Sequence, residues 1–191
     1  MKNHGYRLIK DGDNIVDEVI AKVGANINLA TPLAIGKANH VINAFYRRAK
    51  EDGSIKLNIM TALTLERPKG KSLLEKRFLK LFVDRIFGDY PDLDYELDRI
   101  QNKLPSNIRV IEFYFPPGKF LHNQKVQQDY ISCNYTHAVR DLMDKGANVI
   151  AQLICPPETE ESTKISLSGN PDVALDLIEM MKQREEQEGV P

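Results

Sequence analysis

A chain of 191 residues, 42% hydrophobic and 28% charged, is long enough for one substantial domain with its own core. Its net charge of −1 gives no excess of cations to hold nucleic-acid phosphates. No apolar run approaches the roughly 20 residues that span a bilayer. Cys133 and Cys155 are its two cysteines, too few for a disulfide framework or a zinc site, and the opening MKNHGYRLIKDGDN carries no secretory h-region. The expectation is a cytoplasmic protein without metal, nucleic-acid or membrane partners.

In chain order, Val16, Val19, Ile20 and Val23 have helical spacing and stop at Gly24. A strand is expected over Asn26 to Ala30. It breaks at Thr31-Pro32, and a turn then carries Gly36, Lys37 and Asn39 into an amphipathic helix marked by Ala38, Val41, Ile42, Phe45 and Ala49. A strand that hands a glycine, a cation and an amide to a helix N-terminus makes a cradle for an anion or carbonyl, because unpaired N–H groups and the positive end of the helix dipole point there. A second strand is expected over Leu57 to Leu63.

Gly70-Lys71-Ser72 follows a strand and opens a helix, as a P-loop does, but the glycine required five residues earlier is Leu65. No GxGxxG occurs, so nucleotide binding by either fingerprint is not expected. Arg67, Lys69, Lys71, Lys76, Arg77 and Lys80 form a local basic stretch, read as a solvated helix face with a phosphate-bearing ligand as the alternative. Leu74, Phe78, Leu81, Phe82 and Ile86 mark a helix that ends at Gly88, opened by the capping-box pair Ser72 and Glu75. Pro91 to Asp98 is acidic and turn-rich and reads as a surface connection.

Further strands are expected over Ile108 to Phe115, Asp129 to Cys133, Asn148 to Ile154 and Lys164 to Leu167. Glu112 within the first of these either faces solvent on an edge strand or serves as a functional acid, since an unpaired buried carboxylate is costly. In DYISCNYTHAVR, from Asp129 to Arg140, a strand ends in a polar cluster as a helix begins. Ser168-Gly169-Asn170 is a third polar turn, and Asn170-Pro171-Asp172 looks like the start of a last helix through Val173, Ala174, Leu177, Ile178 and Met181. Gly24-Ala25-Asn26 and Gly146-Ala147-Asn148 echo one another, each leading a helix into an apolar strand. Cys133 and His137 share a turn without an obvious third partner, and His122 reads as a surface histidine. Strands alternating with helices give an α/β fold on a mostly parallel sheet, in which ligands sit at the carboxyl ends of the strands.

The pieces TPLAIGKANHVINAFYRRA, IRVIEFYFPPGKFL, DYISCNYTHAVRDLMDKGANVIAQLICPP and KISLSGNPDVALDLI, in this order, resemble the N-terminal half of the acetyl-CoA hydrolase/transferase family, which includes acetate and 4-hydroxybutyrate CoA-transferases. The resemblance implies that residues 1–191 form one α/β domain of the NagB/RpiA/CoA-transferase type, the first of a longer two-domain enzyme. It implies acyl-CoA and a small carboxylate as substrates, coenzyme A as the group carried, the C-terminal domain of the same protein as partner, and a homodimer as a further option. The acyl group would pass through a glutamate held by the second domain, leaving this chain inactive alone. The residues matching the first-domain cleft are Gly36, Lys37, Asn39, Asn134, Tyr135 and Thr136. Two alternatives remain: a non-catalytic module for a phosphorylated metabolite, and a small hydrolase using Cys133 and His137.

Overall fold

The computed structural model describes residues 7–155, 165–167, 169–171 and 173–189. Four parallel strands form its sheet in the order β3-β2-β1-β4: β1 (Asn26–Ala30), β2 (Lys56–Thr61), β3 (Ile108–Glu112) and β4 (Val149–Ile150). Seven α-helices accompany them: α1 (Gly12–Val23), α2 (Asn39–Glu51), α3 (Leu73–Phe87), α4 (Asp94–Ile100), α5 (Gln124–Gln128), α6 (Ala138–Asp144) and α7 (Ala174–Glu188). The expected α/β class and parallel sheet are therefore present. Among the described residues no helix is long and apolar enough to cross a membrane.

The period-2 alternation of strands divides the core into two layers. Ile27, Leu29, Leu57, Ile59, Ile108 and Val110 point to one face, where Val16 of α1, Ile42, Phe45 and Ala49 of α2 and Tyr95 of α4 cover them. Ala30, Met60, Ala62, Ile111 and Phe113 point to the other, beneath Ala138 and Leu142 of α6 and Leu177 of α7. The chain winds outward from β1 to β2 and β3 with helices on the first face. It then returns to β4 with helices on the second, so the strand order reverses between β1 and β4.

Helix ends follow local chemistry. Gly24 closes α1 at φ 82°, where its N–H donates to Ile20 O and a side chain would be strained. Ser72 and Glu75 form the expected capping box on α3. The echoed Gly-Ala-Asn segments lie side by side, for they lead into the neighbouring strands β1 and β4. Asn148 Oδ1 accepts from Asn28 N–H at 2.8 Å, Asn28 Nδ2 donates to Gly146 O at 2.9 Å, and Asn58 Nδ2 donates to Asn28 Oδ1 at 2.7 Å. These amides satisfy one another across three strands at positions where apolar side chains would otherwise stand.

Several expectations need correction, among them the strand expected over Asn148 to Ile154, which shortens to Val149–Ile150. Pro91 to Asp98 is no surface connection: α4 begins at Asp94, and Leu93, Tyr95, Glu96 and Arg99 are buried. Of its charges Glu96 is paired inside, while Asp92 and Asp94 stay at the surface. The stripe of α3 is not a core face, since α3 buries none of its residues and Phe78 and Leu81 stand 64% and 77% exposed. Asp129 to Cys133 shortens to one parallel bridge, Tyr130 to Glu112, and the segment around Ser166 to one bridge with Cys155. Finally, α7 starts at Ala174 behind Val173, not behind Asn170, whose side chain is spent elsewhere. Ser168 and Asp172 lie outside the described residues.

Candidate functional site at the carboxyl rim

The loops after β1, β2, β3 and β4 meet at the carboxyl end of the sheet. After β1, Thr31 and Pro32 lead into a 3-10 turn over Ala34–Gly36. Ala34 has φ 52° and Leu63, at the matching end of β2, has φ 42°. Both are non-glycine residues in the left-handed region, strain that structures keep mostly where function or tight packing requires it. Gly36 is required by space: a Cβ there would lie 2.4 Å from Asn170 O and 2.8 Å from Pro32 Cγ. Asn170 in turn donates from Nδ2 to Leu33 O at 2.9 Å, and Leu153 N–H donates to Gly36 O at 2.8 Å. The loop after β4 is thereby locked onto the loop after β1 at the point where strand order reverses, the usual ligand crevice of an open parallel sheet.

Lys37 changes role. Its side chain is 1% exposed, and Nζ donates to Pro32 O at 2.8 Å and Ala62 O at 2.5 Å, with Leu63 O at 3.4 Å. A cation for an anion cradle becomes an internal clamp that ties the end of β1 to the end of β2. Asn39 is also buried. Its Nδ2 donates to Pro91 O at 2.8 Å, while Oδ1 has no hydrogen-bond partner among the described residues.

Asn134, Tyr135 and Thr136 lie on the same rim beyond β3. Asn134 caps a 3-10 turn, its Oδ1 accepting from Thr136 Oγ1 at 2.6 Å and His137 N–H at 3.2 Å. The Tyr135 ring stands edge-on to Phe113 at 6.0 Å between centroids and remains half exposed. Ile35, Tyr114, Leu153, Ile154 and Ile165, each following a strand of the sheet in the chain, are exposed apolar or aromatic side chains as well.

Sequence reasoning missed a buried ionic network behind this rim. The alternation of β3 places Glu112 on the same face as Ile108 and Val110, against α4. Glu112 is 1% exposed; its Oε2 accepts from Arg99 Nη1 at 2.5 Å, and its Oε1 accepts from Thr64 N–H at 3.2 Å and Thr64 Oγ1 at 2.8 Å. Neither alternative raised for Glu112 foresaw this partner; the solvent-facing one is excluded by its burial. Arg99 also lies 2.6 Å from Glu96 Oε2, close as an ion pair but bent away from hydrogen-bond geometry, and its guanidinium stacks on Phe120 at 4.6 Å. Lys119 joins Glu96 at 2.6 Å and pairs with Glu66. Burial raises the Glu96 pKa, but the charges of Arg99 and Lys119 outweigh it and hold the carboxyl below the ordinary glutamate value. For Lys119, burial works downward and the carboxylates of Glu66 and Glu96 prevail, raising it. The sequence signal for this network was an i, i+3 pair, Glu96 and Arg99, beside an apolar Tyr95.

Two other motifs resolve simply. At Gly70-Lys71-Ser72 the first N–H groups are taken by the protein's own acid: Glu75 Oε2 accepts from Lys71 N–H at 2.7 Å and Ser72 N–H at 3.0 Å. No P-loop cradle is open there. Burial raises the Cys133 thiol pKa and Asp141 adds to it, opposite to what a nucleophilic cysteine needs. His122 is exposed, as expected.

The chain matches no family model, no curated protein and no solved structure.

Proposed function

We propose that this chain is the first α/β domain of an acyl-CoA hydrolase or CoA-transferase and forms one wall of its acyl cleft. The observation that carries the reading is the locked turn at Gly36. A rim held this tightly, with Ala34 and Leu63 in left-handed conformations, sits at the strand-order reversal, on loops that also carry polar turns and exposed apolar side chains. Exposed apolar side chains such as Ile35 and Tyr135 suit a short acyl chain, and the Asn134 to Thr136 turn offers hydroxyl and amide groups to a carboxylate or thioester oxygen. The segments quoted above for the acetyl-CoA hydrolase/transferase family fall on these same loops.

In this reading a glutamate of a second domain attacks the acyl-CoA carbonyl and releases the CoA thiolate, which then attacks the glutamyl carbonyl of the mixed anhydride and expels the original acyl group as its carboxylate. The resulting glutamyl-CoA thioester then reacts with an acceptor acid or with water. Covalent catalysis divides the reaction into two easier steps, and preorganised N–H donors stabilise each oxyanion. This chain's part is to position and exclude: Lys37 and Asn170 fix the loops, and Tyr135 with its apolar neighbours shields the acyl group.

The alternative, a module for a phosphorylated metabolite, has weaker support. A polar cleft of about 550 Å³ holds Lys10, His40 and Arg47, but Asp11, Asp13, Asp92 and Asp94 line it too and oppose an anion.

The test is acyl-CoA turnover by the protein expressed from its complete gene, followed by free thiol release and by acyl exchange. Borohydride should inactivate it only when acyl-CoA is present, by reducing the glutamyl thioester. Absence of both turnover and acyl-CoA-dependent inactivation would refute the reading.

A further inference from the structure

Among the described residues β4 is an open edge of the sheet. It pairs with β1 through two residues, Leu29 with Val149 and Ala30 with Ile150. Ala151 N–H donates to Ala30 O at 3.0 Å, so by the alternation of a parallel ladder the N–H and C=O of Ile150 point away from β1. Ile150 lines a slot of about 310 Å³ on that side. Val19 and Val23 of α1 wall it on one face of the sheet, and Ile178 and Met181 of α7 wall it on the other, with Val149 and Ile150 at its base. Two helices overhang the edge strand, one on each face, and both turn apolar side chains into the gap. Outward main-chain groups without a backbone partner among the described residues, between largely apolar walls that Lys22, Asn148, Lys182 and Glu185 complete, match the surroundings of an interior strand of a parallel sheet.

The course of α7 says how such a strand would arrive. The helix starts at the carboxyl rim, just after Asn170 has bonded Leu33 O, and near its end Arg184 Nη2 donates to Ala147 O at 2.8 Å, at the entrance to β4. It therefore brings the chain back to the amino end of the sheet, beside the open edge. It also lies on the face of α6, opposite to α2. The α2 crossover moves the chain from β1 toward β2, so a crossover moving it the other way is right-handed only with its helix on the opposite face. α7 occupies that face.

We propose that the slot along β4 seats a fifth strand, parallel to β4, supplied by the segment that follows α7 in the complete enzyme. The strand carries apolar side chains on both faces and pairs its main chain with the N–H and C=O of Ile150. The source of the segment rests on the two-part enzyme proposed above; the slot itself does not.

Hydrogen–deuterium exchange at the Ile150 amide tests this, measured on the 191-residue chain and on the protein from its complete gene. The expected result is rapid exchange in the former and at least 100-fold slower exchange in the latter. The variant Ile150→Pro removes the outward N–H together with the Ile150 side chain that packs on the second layer, so it should lower the Tm of the 191-residue chain by no more than Ile150→Ala does, since proline is tolerated on an edge strand. In the complete protein it should lower the Tm markedly. Equal Ile150 exchange in the two proteins overturns the proposal, as does a complete protein of 191 residues with a freely exchanging Ile150. Protection in the 191-residue chain that grows with its concentration overturns the assignment in favour of a second copy. Acyl-CoA turnover separates the two readings: protection without turnover removes the enzyme and keeps the strand, and turnover without protection does the reverse.

Discussion

Arg99 and Glu112 meet at 2.5 Å between α4 and the end of β3, each side chain 1% exposed. A charge pair so deep persists because each member has further partners. Glu112 has Thr64, Arg99 has Glu96 and the Phe120 ring, and Lys119 bridges Glu96 to the surface. The network joins α4, β3 and the loops after β2 and β3, so it sets the height of the rim that carries the candidate site.

Removing one member should be severe. Arg99→Met leaves the buried Glu112 carboxylate without its cation and Glu96 with Lys119 alone, and is expected to destabilise the domain by about 3–5 kcal/mol, the usual cost of orphaning a buried charge. Urea unfolding of the variant against the parent chain measures it, and a loss under 1 kcal/mol would mean that Arg99 is not buried as described.

The same network sets a pH dependence. The Glu96 pKa is lowered in the folded state, so its contribution is present above the ordinary value of 4.5 and is lost as pH falls through the folded value. Lys119 is raised above its ordinary 10.5; its contribution is full below that value and disappears as pH rises through the folded one. Urea midpoints should therefore fall on the acid side of 4.5, and Glu96→Gln should flatten that limb. An unchanged acid limb in the variant would point to other carboxylates.

Lys37→Met should cost about 2–4 kcal/mol, since each buried carbonyl left without its donor costs roughly 1–3 kcal/mol and Nζ serves Pro32 O and Ala62 O. Thermal melting checks it. A Lys37 acting only as a surface cation would leave the melt unchanged.

Gly36→Ala should destabilise the chain by about 1–3 kcal/mol, the common range for overpacking, because the Cβ meets a backbone oxygen that cannot rotate away. In the complete enzyme the same change should lower turnover by displacing the loops after β1 and β4. Wild-type stability and turnover in this variant would remove the turn from the cleft.

The apolar stripe of α3 should tolerate charge. Phe78→Glu with Leu81→Glu is expected to change stability by no more than about 0.5 kcal/mol, as surface substitutions do, and to raise solubility. A large loss in calorimetry would show that α3 packs more deeply than its exposure indicates.

Taken alone, the sequence determined the helix-and-strand alternation, the central strands β1, β2 and β3, the Gly24 stop and the Ser72–Glu75 cap. Those features rest on residues within one turn or on a repeating period, and local physics settles them. It also pointed to the Gly36 and Asn134 turns, because strand ends that stop at polar clusters are visible in one dimension. Tertiary structure alone decided what their side chains do. Lys37 turns inward because two strand ends present carbonyls that only proximity creates, and Glu112 finds Arg99 across 13 positions of chain. α3 lies outside the core although its pattern matches a core helix, because an apolar stripe states a need for cover and not who provides it.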